Sequence, residues 1–131
     1  MSNDENCIFC NKIKKNIIFS SKYFFIIRDT NYPVTKYHTL IISNRHESDY
    51  FNLNNEELAD LNQILKEQKK ELLQIDKKIS GFNIGVNVGK DAGQSIMHCH
   101  IHLIPRRKGD VEDPRGGVRG VIPSKQKYTR K

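Results

Sequence analysis

The segment that decides the fold is "HCHIHLI", His98 to Ile104. Imidazoles occupy every second position, and Cys99, Ile101 and Leu103 fill the places between. Successive side chains of an extended strand point to opposite faces. A period of two therefore puts His98, His100 and His102 on one face and the apolar set on the other. A helix turns about 200° in two residues and would set the middle histidine against the outer pair. The stretch reads as a strand, "IMHCHIHLIP" (96–105), with its apolar side on a core and its histidine side on a site.

Upstream, "GFNIGVNVG" (81–89) alternates in the same way. Phe82, Ile84, Val86 and Val88 face one side; Asn83, Gly85 and Asn87 face the other. "KDAGQS" links the two strands as a loop. "NIIFSS", "KYFFIIRD" and "HTLIIS" are further strands, rich in β-branched and aromatic residues. One long helix begins at Asn54, an N-cap with Glu57 three residues on, and should end before Gly81. Leu58, Leu61, Ile64, Leu65 and Leu72 give it an apolar face. Cys7 to Lys15 is expected to form a short helix carrying Phe9 and Ile13. The expected class is α+β: an antiparallel sheet of about five strands, one long helix and a short N-terminal helix.

A chain of 131 residues supports one domain with a modest core. No apolar run approaches the ~20 residues that span a bilayer. The start, MSNDENCIFC, is polar and acidic, unlike a secretory signal. Three cysteines make no disulfide scaffold, so a reduced, cytoplasmic protein without a membrane association is expected. Of the net charge of +7, residues 106–131 carry nine Lys/Arg against three acids. This divides the chain into a domain over 1–108 and a basic Gly/Pro-containing tail over 109–131. The tail suits an anionic partner or a solvated terminus equally well.

Three histidines in register admit three chemistries. An H-x-H pair on a strand can share a zinc ion, but the outer two backbones lie ~13 Å apart, too far for one ion to take all three easily. They can also be half-buried, satisfied groups without function. The third chemistry is nucleophilic. A neutral imidazole attacks phosphorus, provided its other nitrogen has an acceptor that fixes the tautomer. Donors must then surround the phosphoryl oxygens. "GQS" (93–95) supplies close backbone approach and a hydroxyl, and Asn87 adds an amide. Such a set performs phosphoryl or nucleotidyl transfer without an obligatory catalytic metal. Separately, Cys7-x-x-Cys10 reads as zinc-binding or redox. The absence of a βαβ pattern around it weakens the redox reading.

"HCHIHLI" resembles the His-φ-His-φ-His-φ-φ signature of the histidine triad (HIT) family of nucleotide hydrolases and transferases. "CIFCNKI", "KYHTLIISNRH", "GVNVGKDAGQS" and "HLIPR" resemble the family's other segments in order and spacing, from about Cys7 to Arg107. The resemblance implies a nucleotidyl hydrolase acting on adenine nucleotides, either AMP-phosphoramidates or dinucleoside polyphosphates. It makes His100 the nucleophile and gives His102 and Ser95 catalytic contacts with the phosphate and leaving group. It makes His38 a support for the triad. It places Asn87, Gly93, Gln94, Ser95 and His102 around the phosphates, Asp29 on the ribose, and Phe9, Ile13 and Ile27 around a purine base. It also implies a homodimer and a structural zinc held by Cys7, Cys10, His46 and His98. Four such ligands close a tetrahedron and leave no open position. Two rival classes are a non-catalytic nucleotide-binding protein and a zinc-containing nucleic-acid-binding module. The intact triad argues against the first, and nucleic acid is not the expected partner.

Overall fold

In the computed structural model, which describes residues 6–11 and 16–128, branched and aromatic segments form one antiparallel sheet. The strands are β1 (Ile17–Ser20), β2 (Phe24–Arg28), β3 (Thr39–Ser43), β4 (Ile79–Gly85) and β5 (His100–Arg107), in spatial order β1-β2-β3-β5-β4. Helix α1 (Asn55–Ile75) joins β3 to β4. Among the described residues no helix is long and apolar enough to cross a membrane. The α+β expectation holds.

The register sets the two faces. Ile41 pairs with Ile101, and together with Phe24, Ile26 and Cys99 they pack against Leu61 and Ile64 of α1. One residue along, Leu40 opposes His102 and Ile42 opposes His100. Leu40 and Ile42, with Phe25 and Ile27, form a second cluster under Cys7 and Phe9 of the N-terminal segment. Covered on both sides, "FFII" of β2 is buried throughout, which is why it shows no alternation. Each fully buried Phe, Ile or Leu contributes roughly 1.5–3 kcal/mol. A one-residue slip of β5 would turn the histidines into the helix-side core.

Helix α1 starts at a capping box. The Asn54 side chain accepts from the Glu57 N–H at 2.8 Å, and Glu57 Oε1 accepts from the Asn54 N–H at 2.9 Å. Glu57 is buried and also takes the Arg45 guanidinium, Nε at 2.9 Å and Nη2 at 3.0 Å. The helix cap thus braces the "NRH" segment that carries His46. Residues 7–10 form a turn, closed by the Cys10 N–H on the Cys7 carbonyl at 3.1 Å, in place of the first half of the expected short helix. Its second half, and with it Ile13, lies outside the described residues. Two strand bounds also move: β4 stops at Gly85, before Asn87, and β5 begins at His100, after His98.

Beyond Gly109 the chain folds back through two 3₁₀ turns, Gly117–Val121 and Pro123–Lys125. The Arg119 guanidinium donates to the carbonyls of Lys125 at 2.8 Å and Gln126 at 3.2 Å. Gly116 has φ +88°, and any Cβ there would strike the Gln126 carbonyl, so the turn requires glycine. Gly117 lies beside Asn83 on the histidine side of β4.

Candidate active site

His100 opens β5 and is buried beside Phe9, with ring centroids 5.0 Å apart at 68°. Its Nδ1–H donates to the His98 carbonyl at 2.8 Å. That bond puts the ring proton on Nδ1 and leaves a lone pair on Nε2. Nε2 has no hydrogen-bond partner, and among the described residues no buried side-chain nitrogen lacks one. Nε2 is therefore the nitrogen that solvent, or a ligand, can reach. Burial pushes the imidazole below its usual range and keeps it neutral.

His102 follows on the same face, its ring centroid 5.2 Å from that of His100. Its proton is placed by a chain that starts in the backbone. The Val34 N–H donates to His38 Nδ1 at 3.0 Å, so His38 carries its proton on Nε2. His38 Nε2–H then donates to His102 Nδ1 at 2.9 Å. In neutral His102 the proton must sit on Nε2, where it can donate to an oxyanion. Burial first, then the neighbouring His100 and His38, lowers the His102 imidazole to about 4. His38 is lowered by burial, which outweighs the nearby Asp29 carboxylate. The loop that presents Val34 is fixed by the Thr35 hydroxyl on the Pro105 carbonyl at 2.7 Å. It returns to β3 through Tyr37 at φ +71°, a left-handed conformation uncommon for a bulky residue.

His98 stands apart. It precedes β5 and is completely buried, so the open face carries two histidines rather than three. Its Nε2–H donates to the Ser43 carbonyl at 2.7 Å, leaving Nδ1 as a lone pair. That nitrogen lies 3.4 Å from Cys7 Sγ, 3.5 Å from Cys10 Sγ and 3.1 Å from His46 Nδ1, and Cys10 Sγ is 3.2 Å from His46 Nδ1. All four donor atoms lie within 4.8 Å of one another. A tetrahedral zinc with ordinary Zn–S and Zn–N bonds needs donor separations of about 3.3–3.8 Å. The spacings, the soft donor set and the outward hydrogen bond of His98 all fit such an ion. Cys99 stays on the core face, its thiol pushed up to about 12 by burial.

The other sequence-derived candidates divide. Ile27 and Phe9 are buried side by side with Leu40 in the cluster beneath the N-terminal turn. Asp29 Oδ1 accepts the N–H groups of Asn31 and Tyr32 at 3.1 and 3.0 Å, while Oδ2 lies 3.9 Å from His38 Nδ1 without a hydrogen bond. Gly93 is left-handed at φ +92° and shapes the loop. Ser95 is exposed and Asn87 half-buried. Gln94 is buried with its amide consumed: Oε1 accepts from the Gly89 N–H, and Nε2 donates to the carbonyls of Ser48 and Ile96. Its side chain braces the loop rather than facing a phosphate. Sequence reasoning missed the groups that set the tautomers, the His98 and Ser43 carbonyls and the Val34 N–H. They are backbone atoms and leave no residue signal. A concavity of about 610 Å³ opens elsewhere, by Lys36, Tyr37, Asp76 and Arg107, and contains none of the histidines.

Known proteins agree with this geometry. The HIT domain model matches residues 11–109. An adenosine 5′-monophosphoramidase of Saccharomyces cerevisiae is 34% identical over 108 residues, covering 79% of this chain and 65% of its own. A zinc-bound histidine triad family protein from Mycobacterium smegmatis superposes with a TM-score of 0.73 at 29% identity, over 82% of this chain and 80% of the other. A diadenosine triphosphate hydrolase from Plasmodium falciparum does so with a TM-score of 0.68 at 28% identity, over 76% and 67%. Two imidazoles held in fixed tautomers on the open face, and a family model that spans the sheet carrying them, converge on one assignment: the chain belongs to the HIT family.

Proposed function

We propose that the chain is a nucleotidyl hydrolase acting at the α-phosphate of an adenine nucleotide, with AMP-phosphoramidates and dinucleoside polyphosphates as its substrate classes. The observation that carries this is the His100 tautomer: Nδ1–H is committed to the His98 carbonyl, and the lone pair on Nε2 is open. Nε2 attacks the α-phosphorus. An Nε2–P bond forms, the bond from phosphorus to the leaving amine or phosphate breaks, and the leaving group takes a proton, with the Ser95 hydroxyl placed to donate. Water then attacks the same phosphorus, the Nε2–P bond breaks, and AMP leaves with His100 neutral again. His102 donates from Nε2 to the phosphoryl oxygens through both steps.

Asp29 Oδ2 meets the ribose hydroxyls, Phe9, Ile27 and Leu40 back the base, and Asn87 with the Gly93–Ser95 loop surrounds the phosphates. The ion suited to Cys7, Cys10, His46 and His98 is zinc. Its chemistry is to tie the N-terminal turn to the sheet, with no position left for substrate. Two copies pair as a homodimer, and residues 109–131 act as an appended segment outside the catalytic domain. The supporting relatives include both an AMP phosphoramidase and a diadenosine triphosphate hydrolase. The test is a panel of AMP-phosphoramidates and diadenosine polyphosphates with AMP release as readout. Release from neither class defeats the proposal.

A further inference from the structure

His98 belongs to two structures at once. Its Nδ1 joins the Cys7, Cys10 and His46 donor cluster, and its backbone carbonyl receives the His100 Nδ1–H at 2.8 Å. The C-x-x-C turn reaches the nucleophile by a second route. Phe9 lies between the two cysteines, is buried, and sets its ring against both His98 (5.9 Å, 88°) and His100 (5.0 Å, 68°). A displacement of the donor cluster would therefore move the acceptor of the His100 proton and the ring that packs against it. His102 is held differently, through His38 and the Val34 N–H, and neither touches the cluster.

We propose that a divalent ion bound by Cys7, Cys10, His46 and His98 holds His100 in its attacking tautomer, through the His98 carbonyl and the ring of Phe9, which makes Phe9 a positioning residue for the nucleophile. The site is thus more than an anchor for the N-terminal turn. It is the frame in which the reactive nitrogen is aimed. The Nδ1–H form of imidazole is the less populated one in the free ring, so it persists only while its acceptor stays in place. With the ion bound, the cluster fixes the His98 backbone. Without it, two imidazole nitrogens and two sulfurs crowd one another and the turn has no common centre. This inference rests on the nucleotidyl-transfer reading for its consequence, though not for its structural content.

The test uses ¹⁵N-labelled protein in three forms: zinc-loaded wild type, wild type stripped with a chelator, and zinc-loaded Phe9→Leu. Long-range ¹H–¹⁵N imidazole spectra report each tautomer, and single-turnover mixing with phosphorus-labelled adenosine 5′-phosphoramidate reports adduct formation. The loaded wild type should show His100 as a pure Nδ1–H form. The stripped protein and Phe9→Leu should show mixed tautomers at His100 and unchanged signals at His38 and His102. Adduct formation should slow by roughly 2- to 10-fold, the range one neutral hydrogen bond spans. Identical His100 signals in loaded wild type and Phe9→Leu overturn the proposal, and Phe9→Leu decides the matter if the stripped protein unfolds. If no form makes an adduct, the hydrolase reading fails while the spectra still judge the coupling.

Discussion

The His100 Nδ1–H donates to the backbone carbonyl of His98, two residues earlier in the chain, at 2.8 Å. One short local bond thus decides which nitrogen of the central imidazole carries a proton and which is a nucleophile. The adjacent His102 is set by a different and longer chain, from the Val34 N–H through His38.

Replacing the nucleophile should separate binding from turnover. His100→Asn is expected to retain AMP binding by calorimetry and to lose kcat by about 10⁴-fold, or ~5.4 kcal/mol of barrier. His102→Asn removes an electrostatic contact and should cost less. Rapid quench with labelled substrate should trap an acid-labile, base-stable adduct on His100. An adduct mapped to His102 would reverse the two roles.

Acid should destabilise the fold through His102. The folded imidazole titrates near 4, below the value of about 6.5 in an unfolded chain. As pH falls below about 6.5 the unfolded chain gains a proton that the folded protein does not take up. Stability therefore declines between about 6.5 and 4 and levels off below. His38, also lowered by burial, adds in the same direction. Melting curves across this range should show a shallower slope for His102→Asn than for wild type. Parallel slopes would contradict the assignment.

Metal analysis of protein purified without chelator should find about one zinc per chain. Cys10→Ser should lose that metal and lower Tm by roughly 5–10 °C, corresponding to about 2–3 kcal/mol in a domain of this size. Full zinc content in the variant would show that Cys10 is not a ligand.

Glu57→Ala should be among the most damaging changes outside the site. It removes the capping box and strands the Arg45 guanidinium beside the segment that carries His46. The expected cost is about 3 kcal/mol in denaturant unfolding. A loss under ~1 kcal/mol would mean that solvent satisfies Arg45 equally well.

Truncation after Val111 keeps Asp110, which pairs with Arg106 at 2.8 Å, and removes the basic turns that follow. KM should rise more for a diadenosine polyphosphate than for an AMP-phosphoramidate, and the gap should narrow as salt screens charges beyond ~8 Å. Equal changes for both substrates at every salt concentration would leave the tail without a role in binding.

The sequence by itself determined the alternation of β5, the capping box of α1 and the α+β class, because periodicity and caps are local. A period of two or 3.6 is written in neighbouring residues, and Asn54 finds Glu57 three positions away. It also placed Cys7, Cys10, His46 and His98 in one set, through likeness to other chains rather than through geometry. The tertiary structure alone decided that His98 is buried in that set while His100 and His102 share the open face. It decided as well that Gln94 spends its amide inside a loop, and that Ser43, His98 and Val34 supply the backbone groups that fix the imidazole protons. Ring tautomers follow from which carbonyl or N–H lies within about 3 Å, and the main chain presents the same groups at every residue. Only folding selects among them, by bringing Cys7 to His98 across 91 positions and His38 to His102 across 64.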